Sequence, residues 1–278
     1  MRQCLVGGLF LLFICGCVEL PRIDMMKSLD TKSRAVIDPQ LLVITSPDRK
    51  LPEYEVLTFE VRWFGMRVGN LTTSVRGMKN YKGRDVYVLE ATMKTTPFFS
   101  KIYKVDDRFV SYMDAENLYT LRHEVYRRDG SYCKDAITEF DQLNHKAYFK
   151  NLLDKSEKTF DIPEGVHDIL SACYYFMLLP VNLSDTVEYY VCNNEQNYHF
   201  SGLIESKARI RLPVFGKTAK EAFLIQPYAR LKGKKVDKGR VMAYFSCDKR
   251  RIPLVAVVKG PVFTEVTISL AKIETKSP

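Results

Sequence analysis

Leu57, Phe59, Val61 and Trp63 alternate with Thr58, Glu60 and Arg62, and the period of two they set recurs through most of the chain. Such alternation marks a strand with one face buried and one face wet. A tight Gly65 to Gly69 region and then Leu71-Thr72-Thr73-Ser74-Val75 complete a predicted β-hairpin. Strand-length pieces follow over 85–95, 103–113, 118–128, 133–140 and 146–152, with turn signals at Lys82-Gly83 and Asp129-Gly130. A second series runs over 186–191, 196–205, 207–212, 219–229, 239–246, 252–258 and 262–273. Short strands at regular spacing, with no internal repeat, predict a sandwich, a barrel or a curved half-barrel.

Residues 166–179 break this rhythm. The segment is largely apolar, lies between Pro163 and Pro180, and carries Asp168 where a first helical turn would place its positive dipole end. It predicts one helix. Ile169, Ala172, Cys173, Phe176 and Met177 recur at three and four spacing, so that side is expected to fill the concave face of a curved sheet. The expected fold is mainly β: an antiparallel curved sheet, open barrel or half-barrel packed on one apolar helix.

The N-terminus has a different pattern. Arg2, the apolar run from Leu5 to Cys15 and the small residue Gly16 meet the physical requirements of an export signal. The run is too short to span a bilayer, which takes about 20 apolar residues. Ile14-Cys15-Gly16-Cys17 resembles a bacterial lipobox. That resemblance implies a cut after Gly16, with Ile14 and Gly16 in the cleavage motif, and acylation of the Cys17 sulfur; the alternative is an ordinary secretory signal cut nearby. Residues 1–16 are therefore expected to be a lipoprotein signal peptide, 17–50 a lipid-anchored tether and 51–278 a single antiparallel β domain. Pro21, Pro39 and Pro47 suit a tether whose reach as flexible coil is about 30 Å. Leu41-Leu42-Val43-Ile44 within it could dock as an edge strand. Val18 after Cys17, in place of an aspartate, favours the periplasmic face of the outer membrane.

Composition narrows the partners. The 46% hydrophobic and 12% aromatic content calls for a real core. A formal net charge of +9 favours anionic partners such as phospholipid headgroups, acidic envelope polymers or an acidic protein, and export removes nucleic acid from consideration. The basic clusters are Lys232-Gly233-Lys234-Lys235 with Lys238 and Arg240, then Lys249-Arg250-Arg251, then Arg127-Arg128. Lys232, Lys234, Lys235, Arg250 and Arg251 are the expected anionic-surface contacts, against the plainer reading of solvated turns. After signal removal and acylation, Cys133, Cys173, Cys192 and Cys247 remain; they allow three disulfide pairings or serve as small hydrophobes.

Chemistry is sparse. His123-Glu124 lacks the second histidine of a zincin, and His123, His145, His167 and His199 are far apart in sequence, so each reads as a surface or hydrogen-bonded histidine. Asp106-Asp107 and Asp168 could offer oxygen ligands, yet no calcium loop surrounds them, and turn and helix-cap roles are expected. Asp248 is expected to hydrogen-bond its own turn before Pro253. No metal, cofactor or catalytic residue is expected. Phe98-Phe99, Tyr174-Tyr175-Phe176 and Tyr189-Tyr190 fit either an aromatic-lined cavity or a thick core.

Three landmarks resemble the bacterial DUF3108 family of exported proteins of unknown function. They are residues 52–69 with Gly65 and Gly69, residues 167–175 with Asp168, Ser171 and Tyr174, and residues 246–253 with Asp248 and Pro253. This sequence departs in Pro52, where the family commonly has glycine, and in Cys173, a usually apolar site. The resemblance implies an exported, β-rich protein over about 53–273, and no catalytic residues. A more distant likeness to LolA-type half-barrel lipoprotein carriers rests on architecture alone. The expected role is a non-catalytic binding or carrier module for an apolar or amphiphilic envelope molecule. The alternatives are a structural or assembly factor contacting another envelope protein, and an envelope polysaccharide-modifying enzyme built on dispersed carboxylates.

Overall fold

The computed structural model describes residues 23–25, 50–236, 240–260 and 264–275. Ile14, Gly16 and Cys17 lie outside the described residues, as do Leu41 to Ile44 and Lys238. In chain order the strands are β1 (Ile23–Met25), β2 (Glu55–Trp63), β3 (Met66–Tyr81), β4 (Arg84–Thr95), β5 (Asp106–Asp114), β6 (Thr120–Asp129), β7 (Tyr132–Asp141), β8 (Lys146–Asn151) and β9 (Glu157–Asp161). The helix α1 (Ile169–Leu178) follows, and then β10 (Thr186–Asn193), β11 (Gln196–Arg211), β12 (Ala219–Ile225), β13 (Tyr228–Leu231), β14 (Lys234–Lys235), β15 (Arg240–Ser246), β16 (Pro253–Gly260) and β17 (Thr264–Thr275). All of them join one sheet.

From β2 to β9 each strand pairs antiparallel with the next, forming a long meander. The last strand, β17, pairs with β2 and carries the sheet on through β16, β15, β12 and β11 to β1. The first half of β11 pairs instead with β10 and β13. Among the described residues β9 has only β8 as a strand partner, so the sheet is an open curve and not a closed barrel. This is the mainly β, helix-packed architecture expected.

Several boundaries differ for identifiable reasons. Residues 196–211 form one strand with a bulge between Ile204 and Ser206, which lets its two halves serve different neighbours. The piece 219–229 splits into β12 and β13 around Gln226 and Pro227, because proline cannot donate to a ladder. β9 was not foreseen: its Glu157, Lys158 and Thr159 are exposed and only Phe160 is half-buried, so it carries no alternation. Ile23–Met25 pairs with Ile210 to Ala208, placing a short strand within the segment read as a tether.

The helix starts three residues later than expected. Before it, the His167 amide donates to the Tyr190 carbonyl (2.9 Å) and the Cys192 amide donates to that of His167 (2.7 Å), so 166–167 runs beside β10 as extended chain. Asp168 then caps the helix.

The core follows the register. Leu57, Thr73, Ala91, Phe109 and Val125 are successive cross-strand partners, and the next row is Phe59, Leu71, Met93, Asp107 and Arg127. Tyr174, Met177 and Leu178 of α1 belong to the same cluster as Leu57, Phe59 and Leu89. Phe176 and Leu179 pack toward Ile204, Phe223 and Ile225. β16 is buried on both faces through Leu254, Val255, Val257 and Val258.

Candidate functional site

Asp168 is fully buried and satisfies the start of α1. One carboxylate oxygen, Oδ1, accepts from the amides of Leu170 (2.8 Å) and Ser171 (3.1 Å), and Oδ2 accepts from the hydroxyls of Ser111 on β5 (2.5 Å) and Thr120 on β6 (2.8 Å). The Asp168 amide donates back to Thr120 Oγ1 (2.8 Å) and Ser171 Oγ (3.1 Å), completing a capping box. Gln142 Nε2 donates to the carbonyls of Thr120 (2.6 Å) and Val166 (3.0 Å). One aspartate therefore joins the helix to two neighbouring strands.

Two histidines that lie far apart in the sequence, His123 and His167, come together at Asp168. His123, the cross-strand partner of Ser111, places Nε2 3.9 Å from Asp168 Oδ1. Burial lowers the His123 pKa more than Asp168 raises it. Burial also pushes His167 down to about 4 against the opposing pull of Asp168. For Asp168 itself, burial favours the neutral acid, but His123 and the bonds from Ser111, Thr120 and the Ser171 amide outweigh it, holding the carboxyl below its ordinary range. Ser111 and Thr120 both donate to the aspartate, so these three residues form an anchor for the start of the helix.

The other side of the helix is open. Leu170, Ser171, Ala172, Tyr174, Phe176, Met177 and Leu178 are buried, whereas Ile169 is half-buried and Cys173, one turn further on, is exposed. The expectation that Ile169 and Cys173 sit in the core with Phe176 and Met177 is thus corrected. The helix is too enclosed by strands for one stripe to supply its whole core face, and these two residues fall on the uncovered side.

Cys173 combines two properties that rarely coincide on an outer surface. Solvent reaches it, yet burial pushes its thiol up to about 11, with Asp168 adding to the rise. On the concave sheet face Leu71, Met93, Phe109 and Val125 are only half-buried, although Leu57 and Phe59 in the same rows are fully enclosed. Tyr175 stacks obliquely on His167 (4.4 Å between centroids) and meets Tyr189 edge-on (5.6 Å), and Tyr189 stacks with Phe200 (6.1 Å). Burial raises the Tyr189 hydroxyl well above its ordinary range.

A buried ion triad lies in the row of Phe59, Leu71 and Met93. Arg127 donates to Asp107 Oδ2 (3.0 Å) and Asp129 Oδ2 (2.7 Å), and the Arg128 amide donates to Asp107 Oδ1 (2.8 Å). Asp107 is therefore no solvated turn and Arg127 no surface cation: alternation turns both inward, where each needs the other. No local pattern signals this pairing, since an Asp and an Arg 20 residues apart meet only through the β5–β6 register.

The remaining positions are structural or peripheral. Gly65 takes φ 76° in the β2–β3 turn, and at Gly69 a Cβ would lie 2.6 Å from the Lys94 carbonyl oxygen. Asp248 Oδ1 accepts from Ser246 Oγ (2.9 Å) and the Arg250 amide (3.0 Å), the local turn bond expected, and Pro253 opens β16. Arg250 forms an ion pair with the buried Glu55, tying residues 246–253 to the start of β2. Lys232 and Lys234 are exposed on the β13–β14 hairpin, beside the beginning of β11. The turn bearing Arg250 and Arg251 sits beside β12, at the other end of β11. The expected basic contacts thus do not form one surface. Cys133, Cys173, Cys192 and Cys247 are all free thiols. A hollow of about 270 Å³ lies among Tyr81, Glu139, Gln142 and Tyr148 and is not lined by Cys173 or Ile169.

An open antiparallel sheet curved over one capped helix defines a β-barrel-like class of protein. The chain belongs to the DUF3108 family, described as a protein of unknown function, whose model matches residues 58–267. Its structure resembles a beta-barrel-like protein of the domain of unknown function DUF1849 from Brucella abortus, with a TM-score of 0.55 at 9% identity over 82% of this chain and 100% of that one. That likeness concerns the fold alone. A putative exported protein with a YmcC-like fold from Bacteroides fragilis aligns at a TM-score of 0.33 and 11% identity over 84% of this chain and all of that one. No curated protein matches the chain.

Proposed function

We propose that this protein is a non-catalytic binding or carrier module of the bacterial envelope, and that the recess beside Ile169 and Cys173 takes the acyl chain of an amphiphilic envelope molecule. The observations that support this reading are the exposed Cys173 on α1, whose thiol burial nonetheless pushes up, and the half-buried apolar Leu71, Met93, Phe109 and Val125 on the helix-facing rows of the sheet. Apolar surface left open inside a sheet loses stabilisation of about 25 cal/mol per Å², which an apolar ligand would recover. Ligand sites commonly pair such walls with a few polar groups, here His123 and the tyrosine hydroxyls.

The location rests on the export-signal pattern, with Cys17 as the acylated residue and the outer membrane as the site. Two or three acyl chains on Cys17 hold a protein firmly, at about 0.8 kcal/mol per buried methylene. Mass spectrometry of lipids extracted from protein purified without detergent tests the binding reading. A stoichiometric acyl species is expected, and its absence together with a recess that excludes fatty acid would refute it. Palmitate incorporation that is lost in Cys17→Ser tests the anchor separately.

A further inference from the structure

Two basic regions lie at opposite ends of β11, and the path of the N-terminal chain chooses between them. β11 has 16 residues and so spans about 50 Å. The Lys232 and Lys234 hairpin pairs near Tyr198, at its beginning. At its far end β11 passes into β12 through a 3₁₀ turn at Pro213–Phe215, and the turn 247–251 lies alongside because the Cys247 amide donates to the Glu221 carbonyl (2.9 Å).

That far end is rich in cations. Arg211, Lys217 and Lys249 are exposed, and Lys220 is half-exposed with its ammonium over the Phe215 ring (5.2 Å). Of the acids along these strands, Asp248 is bonded within its own turn, Glu205 accepts from Gln226, and Glu221 is in register with Arg209.

The register of β1 gives the direction. Ile23 pairs with Ile210 and Met25 with Ala208, so the first residue of β1 lies nearest the end of β11 that leads into the 3₁₀ turn. Cys17 is six residues upstream, a span of at most about 20 Å. A lipid on Cys17 would therefore hold this end close to the bilayer and leave the hairpin on the far side.

We propose that the β11–β12 end of the sheet is the membrane-facing surface, contacting anionic phospholipid headgroups through Lys217, Lys220 and Lys249. The proposal rests on the envelope reading but not on the recess having a ligand. Phosphate-bearing lipid is the occupant because the cations ring the end of the sheet where the chain departs, and attraction to headgroups acts within a Debye length of about 8 Å.

The test uses the chain from position 17 with Cys17→Ser, so that no acyl chain contributes, cosedimented with phosphatidylcholine vesicles with and without phosphatidylglycerol. Binding is expected only with phosphatidylglycerol, with release at high salt. Lys217→Glu combined with Lys220→Glu and Lys249→Glu is expected to weaken it at least about tenfold. Lys232→Glu with Lys234→Glu should change it less than about twofold. Circular dichroism confirms that both variants fold. Equal binding to both vesicle types, no binding, or an equal loss from the hairpin variant would overturn the proposal. None of these outcomes reports on an acyl ligand in the recess, which lipid extraction tests alone.

Discussion

The two sides of α1 differ in what each is asked to do. At its start and on its sheet side, Asp168, Ser171, Tyr174 and Met177 are enclosed, and each polar atom of the Asp168 carboxylate has two donors. On the other side Ile169 and Cys173 meet open space. A single helix can thus hold a curved sheet together along one side and leave apolar surface free along the other. Stability and binding should then separate by mutation.

The largest effect is expected from Asp168→Ala. It leaves the Ser111 and Thr120 hydroxyls and two backbone amides without their acceptor in a buried site, and should destabilise the fold by about 3–5 kcal/mol in urea unfolding. A loss under about 1 kcal/mol would mean that the anchor is not what fixes the helix.

Acid should loosen the same side. His167 takes up a proton near 6.5 when unfolded but only at about 4 when folded, so the unfolded chain binds protons first as pH falls. Stability is fully present above 6.5 and should fall by about 3 kcal/mol on the way down to 4. His123 shifts in the same direction and adds to the slope. His167→Phe should flatten the profile without abolishing it, whereas an unchanged profile would remove His167 from the account.

The smallest stability effect belongs to the open side. Cys173→Ser should alter unfolding by less than about 1 kcal/mol, because the residue is exposed and the two side chains are nearly the same size. Cys173→Trp should leave the fold intact while filling the recess, and acyl binding should fall sharply in a fluorescent fatty-acid assay. Retained binding in a folded Cys173→Trp protein would place the ligand elsewhere.

How much of this was readable in the sequence depends on range. The period of two around Phe59, the prolines bracketing residues 166–179 and the capping position of Asp168 are local signals, and they located the sheet and its helix. The partners of Asp168 are not local: Ser111 and Thr120 lie 57 and 48 residues away and reach it only through the β5–β6 register. The same holds for Asp107 with Arg127 and for Glu55 with Arg250, which read as surface charges until the strands are aligned. Helical spacing placed Ile169 and Cys173 together correctly but could not say which side the strands leave uncovered. The mixed exposure and crowding of Cys173 has no counterpart in sequence.

Cys173 itself offers the most direct measurement of the central claim. In a chain with Cys17, Cys133, Cys192 and Cys247 replaced by serine, its alkylation by a small maleimide is followed at alkaline pH, since a thiol raised to about 11 reacts slowly near neutrality. The account predicts steady modification of the empty protein and at least about tenfold protection by a saturating fatty acid or lysophospholipid. A rate that is the same with and without the lipid, in protein shown to bind it, would contradict a ligand site beside this helix.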